Sequence, residues 1–145
     1  MTDDTTAAAS AAFDLASFED VPSTDYVLKN PATGAPTAVV FSLAGPEHPT
    51  RKRAAMARAR RMRAALMKTG KVQLGDPEED EADETDQLVS FTLGWKGVVI
   101  GGKEVPFSAA AARDLYGDPK RRWVRDQVKA ALEERDAFIR GSAGN

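Results

Sequence analysis

The sequence predicts a mainly α protein with a small N-terminal β-hairpin, an α+β arrangement whose compact body is helical and C-terminal. Three observations carry that reading. Two β-rich runs, Tyr26-Val27-Leu28 and Ala38-Val39-Val40-Phe41, flank the turn-forming Asn30-Pro31-Ala32-Thr33-Gly34. A basic stretch over residues 51–68 sets Ala55, Met56, Ala59, Met62 and Leu66 at helical spacing. Further on, Ser108, Gly117 and Asp118-Pro119 punctuate two short amphipathic patterns as helix caps and starts do.

Residues 1–20 read as a flexible arm, rich in Ala, Thr, Ser and Asp, with Phe13, Leu15 and Phe18 as bulky apolar side chains able to dock elsewhere. Residues 21–68 combine the hairpin with the basic helix. An isolated hairpin is marginal in water, so one of its faces should pack on that helix or add to another chain's sheet. Thr50 is placed to cap the helix. Arg51, Lys52 and Arg53 then stand in its first turn, against the positive end of the dipole, each at a cost of about 0.3–1 kcal/mol if unpaired. Something anionic should lie close to them.

Residues 69–86 read as a solvated acidic linker, opened by Gly70 and Gly75-Asp76-Pro77 and continued by the self-repelling run Glu78-Glu79-Asp80-Glu81. Residues 87–140 form the C-terminal helical region. Its first part is ambiguous: Val89, Phe91, Leu93 and Trp95 alternate as in a strand, while Leu88, Phe91 and Trp95 share a helical face. Alternation slightly favours the strand. Ser108 then caps residues 109–116, Gly117 supplies a left-handed C-cap, and Asp118-Pro119 restarts a helix carrying Val124, Val128, Ala131, Leu132, Arg135 and Phe138 on one stripe to about residue 140. Residues 141–145 look frayed.

At 145 residues the chain fits one domain with one modest core. A net charge of −2 gives no global pull toward nucleic acid or an anionic membrane, but the charges are segregated, all basic over 51–68 and all acidic over 76–86. Cysteine is absent, which removes disulfides, thiolate metal sites and cysteine nucleophiles. There is no apolar stretch near the roughly 20 residues that span a bilayer.

Tests for chemistry return little, and no catalytic, cofactor or metal residue is assigned. Gly97-Val98-Val99-Ile100-Gly101-Gly102-Lys103 has the glycine and lysine spacing of a P-loop, yet Glu104 stands where Ser or Thr is required, and Val105-Pro106 argues against a following helix. A calcium loop begun at Asp76 has Glu81 in place of its glycine and Gln87 in place of its bidentate Glu. His48, the sole histidine, has neither a second histidine nor a cysteine to share a metal with, and reads as a surface residue. The basic helix can neutralise phosphates, but no Asn or Gln stands beside its arginines to read bases, which makes an acidic protein surface or the chain's own acidic run the better partner. The aromatics after residue 87 read as core, with one or two free to anchor a partner.

The ordered set Trp95-Lys96-Gly97, Gly102-Lys103-Glu104-Val105-Pro106-Phe107-Ser108, Ala112-Arg113-Asp114-Leu115-Tyr116, Trp123-Val124-Arg125-Asp126-Gln127-Val128 and Arg135-Asp136-Ala137-Phe138 resembles the tail assembly chaperones of siphophages and prophages. Asn30-Pro31-Ala32-Thr33-Gly34 leading to Phe41-Ser42-Leu43-Ala44-Gly45-Pro46 and an Arg-rich helix is similar to their N-terminal half. The resemblance implies a largely helical, non-enzymatic protein of the host cytoplasm. It would bind the tape-measure protein, keep it soluble and help recruit tail-tube subunits. It also tips residues 87–95 toward helix.

Partner-binding candidates are Phe13 and Phe18 in the arm, Tyr26, Leu28, Val39 and Phe41 in the hairpin, Arg51, Arg53, Arg58 and Arg61 in the basic helix, and Trp95 and Trp123 beyond it. An unpaired hairpin edge would also allow self-association. Two other readings stand beside the chaperone: a virion structural subunit at the tail or head-tail joint, and a small nucleic-acid-binding protein using the basic helix.

Overall fold

A short edge-to-edge clasp, a three-stranded antiparallel sheet and four α-helices make up the described part of the chain, residues 12–71 and 77–141 of a computed structural model. The clasp pairs β1 (Phe18–Asp20) with β7 (Ile139–Gly141). The sheet has the order β2 (Ser23–Lys29), β3 (Pro36–Ala44), β4 (Thr92–Lys96). A minimal hairpin joins β5 (Val99–Ile100) to β6 (Lys103–Glu104). The helices are α1 (Pro49–Thr69), α2 (Pro77–Phe91), α3 (Ala109–Gly117) and α4 (Arg122–Glu133).

The expected hairpin forms, with Tyr26 opposite Phe41 and Val27 opposite Val40. Its turn is held by Asn30, whose side-chain oxygen accepts from the Ala32 and Thr33 amides, and by Gly34 at φ +77°. The hairpin is not an N-terminal appendage on a helical body, however. Beyond the acidic run, β4 pairs with β3, setting Trp95 opposite Phe41 and Ser42 opposite Gly94, so the sheet is shared between the two halves of the sequence. That corrects the predicted fold class: strands run through the whole chain, and the C-terminal body is α+β.

Period decides the ambiguous segment in an unexpected way. Leu88 and Val89 are buried in the last turns of α2, and the chain then changes to strand geometry at Thr92. Helical and strand readings each describe one half.

The acidic run is not a linker either. From Pro77 at its start, α2 carries Glu78, Glu79 and Asp80 in its first turn, where carboxylates complement the positive dipole end. Position 76, where a calcium loop would begin, lies outside the described residues, but 78 and 80 are helical. Residues 1–11 of the expected arm and 142–145 of the expected frayed tail also lie outside the described residues. Within the rest of that arm, residues 15–17 make a 3₁₀ turn and Phe18–Asp20 is a strand.

Helix ends follow the expected chemistry with two exceptions. His48, rather than Thr50, caps α1, its Nδ1 accepting from the Thr50 amide at 3.1 Å. Ser108 caps α3 as expected, through the Ala111 amide. Gly117 has no left-handed conformation; Asp118 follows α3 in extended geometry and caps the Pro119–Arg121 3₁₀ turn that leads into α4. The last helix ends at Glu133, short of residue 140, and a third 3₁₀ turn, Arg135–Phe138, delivers Phe138 to the core.

The core lies between the inner sheet face and α2, α3 and α4. Phe41, Leu43, Tyr116, Val128 and Phe138 are almost wholly enclosed. Trp95 stacks edge-on against Phe41 and Phe107, with ring centroids 5.8 and 5.0 Å away, and donates its indole N–H to the Val105 carbonyl at 2.8 Å. Gly97 is obligatory here: at φ +78°, a Cβ would lie 2.4 Å from the Ala38 carbonyl oxygen.

Candidate partner-binding surface

One helix stands apart from this core. Over its 21 residues α1 has no buried side chain, and Met56, Met62, Leu66 and Met67 are exposed, Met67 to 83%. Alanines and arginines are strong helix formers, and Gly70 closes the helix in left-handed geometry, its amide donating to the Leu66 carbonyl. Helical propensity and caps therefore do much of the work that burial does elsewhere.

The first turn of α1 is anchored by side-chain bonds. Arg51 donates to the carbonyls of Ala44 and Leu132 at 3.2 and 3.0 Å, and its guanidinium lies 5.3 Å from the Phe91 ring centre and 5.9 Å from that of Phe138. Leu132 is in the last turn of α4, so the negative end of another helix dipole takes the place of the anion the sequence called for. Burial lowers the Arg51 pKa from its ordinary value. Lys52 pairs with Glu47 at 2.9 Å.

The acidic helix does not neutralise the basic one. Glu81 pairs with Arg122 at 3.0 Å, Glu84 with Lys129 at 3.0 Å, and Asp86 with Arg113 at 3.2 Å. Between them Arg125, only 4% exposed, reaches Glu81 and Glu84 and donates to the carbonyls of Tyr116 and Glu81. The Glu84 carboxyl is held below its ordinary pKa, first by its hydrogen bond with Lys129, with Arg125 adding to the effect. Carboxylates of α2 thus serve α3 and α4. Among the described residues no carboxylate lies within ion-pair distance of Arg53, Arg58, Arg60, Arg61, Arg63 or Lys68.

Where α1 crosses the end of α2, a groove of 380 Å³ opens, lined by Ala55, Ala59, Met62, Arg58, Gln87 and Phe91 among others. On the opposite flank a second groove brings Arg61 toward Asp83 and Asp86 without an ion pair.

Of the predicted contact residues, Arg53, Arg58 and Arg61 sit on this exposed helix, and Arg51 is its structural anchor. Phe13 and Phe18 are exposed and stacked on each other, with ring centres 5.9 Å apart. Leu28 and Phe41 are core residues whose surface is not open to a partner, and Trp95 is committed to its aromatic stack. Val39 lines a smaller apolar cavity of 120 Å³ with Trp123, which is 36% exposed, at its rim. Tyr26 donates to the Gln127 side-chain oxygen at 2.8 Å.

Gln127 is the residue that sequence reasoning missed. Its amide also accepts from the Lys29 N–H at 3.0 Å and donates to the Lys29 carbonyl at 2.8 Å, reproducing a strand pairing on the end of β2 where the register shifts. The hairpin's outer edge is thereby partly covered by α4. The segment matching P-loop spacing is the β5–β6 hairpin, with Gly101 and Gly102 at φ +60° and +80° forming the turn.

Among the described residues no helix is long and apolar enough to cross a membrane, and no group of three or more His, Asp or Glu could hold a metal ion. Comparison with protein-family models, with curated proteins and with solved structures finds no match to this chain.

Proposed function

We propose that the chain is a phage tail assembly chaperone, a protein-binding module without catalysis that works in the cytoplasm of an infected or lysogenic bacterium. It binds the tape-measure protein, keeps that long helical client soluble, and gives way as tail-tube subunits are recruited. The observation that carries the reading is α1, a capped helix of 21 residues with four large apolar side chains in solvent and none buried. Exposed apolar side chains flanked by charged groups are what an interaction site presents, which supports the reading. The resemblance of the ordered motifs from Trp95 to Phe138 to tail assembly chaperones supports the tape-measure protein as that client.

Co-expression with the neighbouring tape-measure protein is the direct test. The client should be insoluble alone, soluble with this chain, and co-purified with it. A client that stays insoluble sinks the proposal. So does recovery of this chain in stoichiometric amounts from mature particles, the behaviour of a structural subunit.

A further inference from the structure

On α1, Ala55, Ala59, Met62 and Leu66 follow at intervals of four, three and four residues, the spacing of a two-heptad coiled-coil seam. All four are exposed. In such a seam the flanking positions choose the partner through charge. Here Arg58 flanks one side and Arg63 the other, and among the described residues neither makes an ion pair. Small alanines at the end nearer the core permit close approach of another backbone, while Met62 adapts its shape to what arrives.

We infer that this seam is the docking site for an acidic amphipathic helix of a partner polypeptide, seated in the groove beside Phe91 and Gln87 with its Glu or Asp side chains against Arg58 and Arg63. A second copy of α1 is a poor occupant, because like charges would face each other on both flanks. A nucleic acid would meet the arginines but leave Met62 and Leu66 against a charged backbone, with no apolar surface to cover. Of the acids of α2, Glu81, Glu84 and Asp86 are engaged by Arg122, Lys129 and Arg113, and Asp83 lies toward Arg61 on the other flank and not among the residues lining this groove. The site deepens the chaperone reading and rests on it for the identity of the client, but not for the chemistry of recognition.

The test uses the full chain and a labelled synthetic peptide of about four heptads with Leu at the seam and Glu on both flanks. Fluorescence anisotropy should show binding that weakens about tenfold or more in Arg58→Glu/Arg63→Glu with helix content unchanged. A peptide with Lys on its flanks should prefer that double variant to the parent protein. Met62→Glu should weaken both peptides.

Equal binding of a scrambled peptide of the same composition overturns the inference, as does no binding, or displacement of the peptide by a short DNA duplex. A stable dimer that covers Met62 also overturns it. If client solubilisation survives Arg58→Glu/Arg63→Glu, the chaperone reading stands and this site falls. If the acidic peptide binds as expected while the tape-measure protein stays insoluble, the reverse holds.

Discussion

Replacing Thr92 by Val should destabilise the protein more than replacing Tyr116 by Phe, and making both changes should cost less than their sum. Both hydroxyls are buried and lie 2.6 Å apart. Thr92 has one proton and donates it to the Leu88 carbonyl at 2.7 Å, so Tyr116 is the donor in the pair. Tyr116→Phe removes one neutral hydrogen bond and leaves Thr92 with its carbonyl, at a cost of about 1 kcal/mol. Thr92→Val loses the bond to Leu88 and strands the Tyr116 hydroxyl in the core, about 2–3 kcal/mol in all. With both hydroxyls gone nothing is stranded, and the double variant should lose only about 1–2 kcal/mol.

The coupling energy is then about −1 to −3 kcal/mol, well outside the few tenths that independent sites show. Urea titrations of the four proteins measure it. Additivity would refute the assigned donor and acceptor. Alkaline titration gives a second arm: burial pushes the Tyr116 pKa up to about 12. The unfolded chain loses that proton near pH 10 and the folded chain only near 12, so the stabilisation is whole below pH 10 and disappears as pH rises to 12. The loss is about 2–3 kcal/mol. Tyr116→Phe should flatten that slope.

Arg125→Met keeps the buried volume but leaves the Tyr116 carbonyl without its charged donor. Urea unfolding at neutral pH should show a loss of about 2–3 kcal/mol, whereas the carboxylates remain wet and keep Arg122 and Lys129. The same variant should narrow the acid-side loss of stability, because the depressed Glu84 pKa stabilises the fold above the unfolded value and that contribution drains as pH falls through the folded value. Gly97→Ala should cost about 2–4 kcal/mol, combining left-handed strain with the collision at the Ala38 carbonyl, as read by thermal denaturation. Gly34→Ala, at nearly the same φ but with no atom within 4 Å of the added Cβ, should show the strain alone, about 1–2 kcal/mol.

The hairpin, the basic helix and the Ser108 cap were legible because each is written in adjacent residues: a Pro-Gly turn between β-rich runs, a charged stripe ended by Gly70, and a hydroxyl placed before four alanines. The acidic helix was not. Its carboxylates repel one another locally, and the cations that offset this, Arg113, Arg122, Arg125 and Lys129, arrive far along the sequence. Residues 87–95 defeated a single-period reading because the period changes inside the window, at Thr92. That change also hides β4, whose pairing with β3 spans two intervening helices.

For the surface, the charges of α1 were visible but their isolation was not, since opposite blocks so close in sequence invite mutual neutralisation. Gln127 gave no local signal at all. A tyrosine hydroxyl at position 26 needing a partner was the only hint.

The β1–β7 clasp ties together segments that lie far apart in the sequence, Phe18–Asp20 and Ile139–Gly141. Closing so large a loop is entropically the most demanding strand pairing among the described residues, so it should zip last, after Phe138 has settled against Gly45. The cationic helix, by contrast, is closed by the local caps His48 and Gly70, so it can form before those distant segments meet.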